Sequence, residues 1–281
     1  MSTFVTSAAG VRIPGIVYGT AWKAAHTERL VRLAIREGFR GIDTACQPKH
    51  YNEAGVGAAL EACFAGGLRR EQIYLQTKFT PLSGQDPKRI PYDPAAPLEE
   101  QVAQSFRVSL QNLNTAYLDC LMLHSPLPTI QQTLRAWRAI EAIVESGGAR
   151  QAGISNCYGL AELQQLTREA SVKPAVLQNR FYADTGYDRE LRAFCKRQHI
   201  VYQSFWTLTA NPQLLAHSAI AGPARFHGKT AAQVLFRYLT QAGAVPLTGT
   251  RSEAHMREDL SIFDFELSTR ERTAIDQALA A

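Results

Sequence analysis

The sequence predicts an α/β fold: a closed (β/α)8 TIM barrel with an N-terminal β-hairpin plugging its bottom. Three observations predict it. Apolar runs of strand length alternate with helix-period segments eight times in 281 residues. The joints between them are short. No Gly-rich phosphate turn follows the first strand candidate, which argues against a doubly wound open sheet. One barrel domain is expected over residues 1–281.

The elements follow in order. "TSAAGVRIP" (6–14) reads as the hairpin, turning at Ala9-Gly10. "GIVYGT" (15–20) is the first barrel strand. "TERLVRLAIREG" then places Leu30, Val31, Ala34 and Ile35 on one helix face, with Thr27 as a cap and Gly38 past the end. "RGIDT" (40–44) is the second strand, and a helix near 54–65 follows it. "IYLQTKF" (73–79) is the third, before a helix over 98–113 that buries Val102, Phe106, Leu110 and Leu113. "LDCLMLH" (118–124) is the fourth. Its helix carries Ile130, Leu134, Trp137, Ile140 and Val144 and stops at Gly147-Gly148. "RQAGIS" (150–155), "AVLQN" (175–179) and "IVYQSF" (200–205) are strands five to seven, with helices over 159–169 and 188–198 between them. A helix over 229–240 precedes "AVPLTG" (244–249), the eighth strand, and two helical segments close the chain. "GVGAAL" (55–60) holds two glycines of a dinucleotide fingerprint but lies inside a helical pattern, so it reads as packing. The stretch 81–97 holds five of the thirteen prolines and reads as a long stiff loop.

Composition narrows the function. Hydrophobic residues make up 46% and charged residues 20%, enough to fill a large core. The net charge of +5 comes from scattered basic residues without aromatic interleaving, which argues against nucleic acid as a partner. The five cysteines are widely spaced and form no CxxC pair, so free thiols in a reducing compartment are expected. No leader pattern opens the sequence and no apolar run reaches the ~18 residues of a membrane span. A cytoplasmic, soluble protein is expected. The oligomeric state is left open.

Barrels of this kind carry their chemistry at the carboxyl ends of the strands. Strand two ends at Asp43, strand three at Lys78 and strand four at His124. Strand five runs into Ser155-Asn156, six into Gln178-Asn179 and seven into Ser204-Phe205. A tyrosine, Tyr51, follows Asp43 in "GIDTACQPKHYNEAGVG". A free phenol has a pKa of about 10, a neighbouring ammonium lowers it, and an aspartate keeps that ammonium charged. A neutral histidine can orient a carbonyl oxygen. Such a set protonates an oxygen on which negative charge develops, and it needs a hydride source from a cofactor. No HxH, HExxH or GxSxG pattern points to metal or to a serine nucleophile.

These residues resemble the aldo-keto reductase family over nearly the whole chain. "YGTAWK", with Gly19 and Thr20, is similar to its first-strand cofactor motif and supplies a pocket tryptophan, Trp22. "GFRGIDTA", "YNEAGVGAAL", "LQTKF" and "LMLHSP" are similar to its aspartate, tyrosine, lysine and histidine segments. "GISN" is similar to the segment that holds the nicotinamide amide, here through Ser155 and Asn156 with Gln178. Phe205 falls where the family stacks an aromatic ring on the nicotinamide, and Ser204 and Leu208 flank it. The resemblance implies reversible carbonyl reduction with catalytic Asp43, Tyr51, Lys78 and His124, an NADPH/NADP cofactor, and an aldehyde, ketone or alcohol substrate. The alternative is a low-turnover regulatory protein that keeps the barrel and the cofactor.

Two departures matter. The tyrosine lies eight residues after the aspartate, where the family usually has five, so the loop must bulge. Anchored on the following "NE", the family's slot falls on His50 instead. Tyr51 is the favoured acid because a phenol holds its proton at neutral pH, and the "QPKHY" loop resembles one branch of the family. In the last strand, "VPLTGTRSEAHMREDL" (245–260) puts Leu247 and His255 where NADPH-preferring relatives carry lysine and arginine. Thr248 and Arg251 remain candidates for the 2′-phosphate and Glu258 and Asp259 for the adenine end. NADPH is expected, with NADH open. Trp22, His50, Phe79, Tyr92 and Trp206 are the substrate-pocket candidates, and the 81–97 loop is expected to serve as a lid.

Overall fold

The structure, a computed structural model, describes residues 3–280. It opens with β1 (Phe4–Thr6) and β2 (Arg12–Pro14), paired antiparallel with Val5 opposite Ile13. Their turn passes through Gly10 at φ 75°, a left-handed conformation that glycine adopts without a steric penalty. Eight strands follow: β3 (Val17–Gly19), β4 (Gly41–Asp43), β5 (Tyr74–Phe79), β6 (Cys120–Leu123), β7 (Ala152–Ser155), β8 (Val176–Arg180), β9 (Val201–Phe205) and β10 (Val245–Thr248). They pair in parallel, in the order β10-β3-β4-β5-β6-β7-β8-β9, and close into a barrel.

The helices are α1 (Thr27–Glu37), α2 (Glu53–Ala65), α3 (Leu98–Leu113), α4 (Ile130–Glu145), α5 (Leu160–Glu169), α6 (Arg189–Arg197), α7 (Pro212–Ala216), α8 (Ser218–His227), α9 (Ala231–Gln241), α10 (Glu253–Leu260) and α11 (Thr269–Ala278). α1 buries Leu30, Val31, Ala34 and Ile35 as its period predicts. It stops at Gly38, whose N–H donates to the carbonyls of Ala34 and Ile35 at φ 122°. Thr27 does not cap it. The residue is the first of the helix, and a 3-10 turn over Ala24–His26 leads in. Asn52 caps α2, its Oδ1 accepting from the Gly55 N–H at 2.9 Å. Gly57 in α2 is a packing glycine as expected, since a Cβ there would meet the Asn112 carbonyl of α3 at 2.1 Å. No element is predicted over 212–227, yet α7 and α8 occupy it. Pro223 lies inside α8, where a Gly222-Pro223 pair obscures the helical period.

The barrel has two cores. Its interior is filled at the amino end of the strands by Val17, Tyr74, Cys120, Met122, Val176, Val201 and Val245, closed off by Val11 and Ile13 of the hairpin region. Ser7 fastens that plug, donating to Gln151 at 2.5 Å. The larger core lies between sheet and helices and includes Leu30, Leu60, Trp137, Leu163 and Phe236. Strand alternation decides which core a residue joins. In β5, Tyr74 points inward while Leu75 and Phe79 belong to the outer core. Among the described residues no helix is long and apolar enough to cross a membrane.

Candidate active site

At the carboxyl end of the strands a cavity of about 850 Å³ opens, lined by Asp43, Tyr51 and His124 among others. Its floor is a buried polar layer one turn of side chains above the apolar interior. Asp43 Oδ1 accepts from Lys78 Nζ at 2.5 Å, from Gln76 Nε2 at 2.6 Å and from Gln178 Nε2 at 3.0 Å. Gln203 links the two glutamines, accepting from Gln76 at 2.8 Å and from Gln178 at 2.9 Å. Lys78 is 1% exposed and also donates to the Thr44 carbonyl at 2.9 Å. A buried ion pair is tolerable only when its remaining lone pairs and protons are used in this way.

Tyr51 reaches this layer through a turn. Cys46 bonds back to the Lys78 carbonyl at 3.1 Å, continuing the β4 edge. Gln47 to His50 then wind into one tight turn, with the His50 and Tyr51 N–H groups donating to the Gln47 carbonyl at 3.2 and 3.1 Å. Gln47 Nε2 anchors the turn to the Gly84 carbonyl at 2.7 Å. The three additional residues are spent in that turn, so the phenol comes back over the lysine. Lys78 Nζ lies 5.5 Å from the Tyr51 ring centroid, and the His124 ring sits edge-on to Tyr51 at 6.0 Å. His50 also lines the cavity but stacks on Trp22, with ring centroids 3.7 Å apart.

The electrostatics differ from the expectation in one respect. The Tyr51 phenol is pushed up, not down, first by burial and then by the Asp43 carboxylate. His124 is held down to about 3, by burial first and then by the Lys78 cation and His50. Its Nδ1 faces the Thr80 hydroxyl at 2.6 Å. Both groups therefore carry their neutral forms near pH 7.

At one side of the cavity, Ser155 Oγ donates to the Gln178 carbonyl at 2.8 Å, and Asn156 Nδ2 donates to the His124 carbonyl at 2.9 Å. Asn156 sits at φ 52°, a left-handed conformation that asparagine tolerates. At the other side lie Arg251, His255, Glu258 and Asp259. The Arg251 guanidinium donates to the Trp22 carbonyl. Lys23, buried and missed in the sequence, donates to the Gly249 carbonyl at 2.8 Å. Burial, followed by the charge of Arg251, lowers it to about 8. Thr248 does not offer its hydroxyl to the cavity but donates to Asp259 Oδ2 at 2.7 Å. Burial lifts Asp259 to about 6 against that bond.

Gly19, Phe205, Leu208, Trp22 and Trp206 line the cavity as predicted. Both tryptophans adopt left-handed backbone, φ 62° and 55°, and are 56% and 48% exposed. Bulky side chains rarely hold that conformation, and such positions cluster where a site needs them. Five candidates are not part of the lining: Lys78 lies beneath it in the polar floor, and the other four point away. Thr20 and Ser204 follow the outward parity of their strands. Thr20 Oγ1 donates to the Asp43 carbonyl at 2.9 Å, and Ser204 accepts from Thr207 at 2.9 Å. Phe79 is outward for the same reason and packs on Tyr92 at 5.5 Å. Tyr92 donates to the Thr80 carbonyl at 2.7 Å. None of residues 81–97 lines the cavity, so the lid expectation is corrected. The loop instead backs the 47–50 turn from behind. Gln47, Arg180 and Thr250 also line the cavity and were not anticipated.

The dinucleotide implied by the family motifs fits these residues: the polar trio Ser155, Asn156 and Gln178 at one end, a half-buried aromatic at Phe205, and cationic side chains at the other. Comparison with known proteins agrees. The model of the Aldo/keto reductase family matches residues 15–216. Glyoxal reductase of Bacillus subtilis (strain 168) is 32% identical over 246 residues, 88% of this chain and 81% of that protein. Methylglyoxal reductase DkgA of Yersinia pestis is 29% identical over 257 residues, 90% of this chain and 85% of that protein. A crystal structure of an aldo/keto reductase from Brucella melitensis superposes with a TM-score of 0.82 at 28% identity, covering 99% of both chains.

Proposed function

The chain belongs to the aldo/keto reductase family, and from that premise we propose that it reduces small aldehydes and ketones with NADPH, taking the proton from Tyr51. NAD(P)H-dependent carbonyl reduction is the activity that the family supports. The observation that carries the residue assignment is the position of Tyr51 beside both Lys78 and His124, lining one cavity with His124, Ser155, Asn156 and Gln178.

Ser155, Asn156 and Gln178 would hold the nicotinamide amide, and Phe205 would support the ring. The nicotinamide, when bound, supplies the hydride that goes to the carbonyl carbon. With the Thr80 hydroxyl donating to His124 Nδ1, Nε2 would carry the proton. His124 then donates a hydrogen bond to the substrate oxygen. Tyr51 gives that oxygen its proton as negative charge builds there. Lys78, 5.5 Å from the Tyr51 ring centroid, would face the phenolate left behind, and Asp43 holds Lys78 in place.

The two named relatives suggest glyoxal and methylglyoxal as first substrates. Arg251 and His255 would take the 2′-phosphate of NADPH. A second reading, NADH use, rests on Leu247, which brings no charge to the family's lysine slot. Loss of NADPH fluorescence on mixing with a panel of dicarbonyls, aldehydes and quinones tests the activity. The ratio of kcat/KM for NADPH over NADH, in wild type and Arg251→Ala, decides the cofactor. A ratio near one in both would favour the second reading.

A further inference from the structure

One cation in the cavity is used by nothing described so far. Arg180 ends β8, two residues after Gln178, so alternation sends its side chain to the same face one step further up the mouth. Its guanidinium lies 4.1 Å from the Trp206 ring centroid and 5.2 Å from that of Tyr182. Arginine favours such stacking because its planar group is weakly hydrated and keeps its edge free for hydrogen bonds. Arg180 Nε is buried and has no hydrogen-bond partner. Among the described residues no carboxylate pairs with this guanidinium. Asp43 pairs with Lys78, and Asp188 accepts from Asn179 and Tyr202 through Oδ2 and forms no ion pair with Arg180.

The wall around it is built rather than accidental. Trp206 holds the arginine from a left-handed backbone that a bulky residue rarely adopts. Tyr158 fastens the strand end, receiving the Arg180 N–H at 3.2 Å while donating to Asn156 Oδ1 at 3.3 Å. Arg180 is thereby tied to the amide-binding side of the cavity, whereas Arg251 and His255 follow β10 on another side. An unpaired fork held over an aromatic face is the arrangement that receives a planar oxyanion bidentately.

We propose that Arg180 binds an oxyanion inside the cavity, and that the oxyanion is the carboxylate of an oxo-acid or carboxy-aldehyde substrate. The proposal deepens the carbonyl-reductase reading and rests on it. The same chemistry could come from the cofactor's pyrophosphate, and the experiment separates the two sources.

Kinetics are measured for 4-carboxybenzaldehyde and its methyl ester, with NADPH, on wild type, Arg180→Gln and Arg180→Lys. A charge-assisted bidentate pair is worth about tenfold or more. Arg180→Gln should raise the KM for the carboxylate aldehyde at least about tenfold, and leave the KM values of the ester and of NADPH within about twofold. Arg180→Lys should recover part of the loss, because it restores charge without the fork. Equal losses on both aldehydes would overturn the proposal. So would a rise confined to the KM of NADPH, which would give Arg180 to the pyrophosphate. Titration of tryptophan fluorescence with terephthalate, which cannot be reduced, is independent of turnover. Saturable binding to wild type but not to Arg180→Gln supports the oxyanion site even if neither aldehyde is reduced and the reductase reading fails. No binding to wild type overturns the site.

Discussion

Lys78 Nζ lies 5.5 Å from the centroid of the Tyr51 ring while its charge is taken by Asp43 at 2.5 Å. Burial first, and then the Asp43 carboxylate, keeps the tyrosine a protonated phenol. Tyr51→Phe should lower kcat by at least ~100-fold, the lower end for general acid catalysis. His50→Ala, which removes a cavity-lining ring stacked on Trp22, should cost less. Steady-state kinetics on both variants check the ranking. The reverse order would move the proton donor to His50.

The ion pair beneath the phenol also bears load in the fold. Lys78→Met leaves the Asp43 carboxylate buried without its cation, and breaking such a pair costs roughly 3–5 kcal/mol. Gln76 and Gln178 still donate to Asp43, so the lower end is expected. Urea denaturation measures it. A loss under ~1 kcal/mol would mean that the glutamines alone satisfy the carboxylate.

His124 titrates near 3, far below the usual imidazole value of about 6.5. Reduction rates should show no imidazole inflection between pH 5 and 8, on the scale of those ordinary values. Stability has the opposite sensitivity. The unfolded chain binds the proton between about 6.5 and 3 and the folded chain does not, so acid erodes the fold across that window. His124→Gln should flatten that part of a stability–pH curve. An inflection near 6.5 in the wild-type rate profile would mean that the ring charges in the working enzyme.

Asp259 behaves in the other direction. Its folded value is raised to about 6, so its favourable contribution is complete below the unfolded value near 4 and is lost as pH rises through 6. At pH 8 the ionised group costs roughly 3 kcal/mol at most. Asp259→Asn keeps an acceptor for the Thr248 hydroxyl and removes the charge. It should raise the melting temperature at pH 8 and change it little at pH 4.

Tyr92 supports the loop behind the acid turn without touching the cavity. Tyr92→Phe deletes its bond to the Thr80 carbonyl and should cost about 1 kcal/mol of stability. The relative kcat/KM across a substrate panel should hold. A reordered panel would return this loop to the substrate pocket.

Much of the site was legible because a barrel reduces position to two rules. Strand ends meet at one mouth, and that rule found Asp43, Lys78, His124, Ser155, Asn156 and Gln178. Alternation then separates inside from outside. Applied strictly, it would have removed Phe79, Thr20 and Ser204 and added Arg180, which shares the parity of Gln178. Tyr92 and the 81–97 loop were misread because proline-rich stiffness says nothing about which side of a turn a loop backs. Lys23 was passed over because a lysine beside a pocket tryptophan looks like surface until its burial is known.

The sequence by itself determined the barrel, the order of its strands, and the set of groups gathered at its mouth, since period and strand-end position are local properties of the chain. Only the tertiary structure separated His50 from Tyr51 in space. Their adjacency in sequence gives both the same reach, and the separation depends on the 47–50 turn anchored to Gly84. It also decided the direction in which the phenol shifts. That balance is set by burial and by the Asp43 carboxylate, and both are properties of packing across strands distant in sequence.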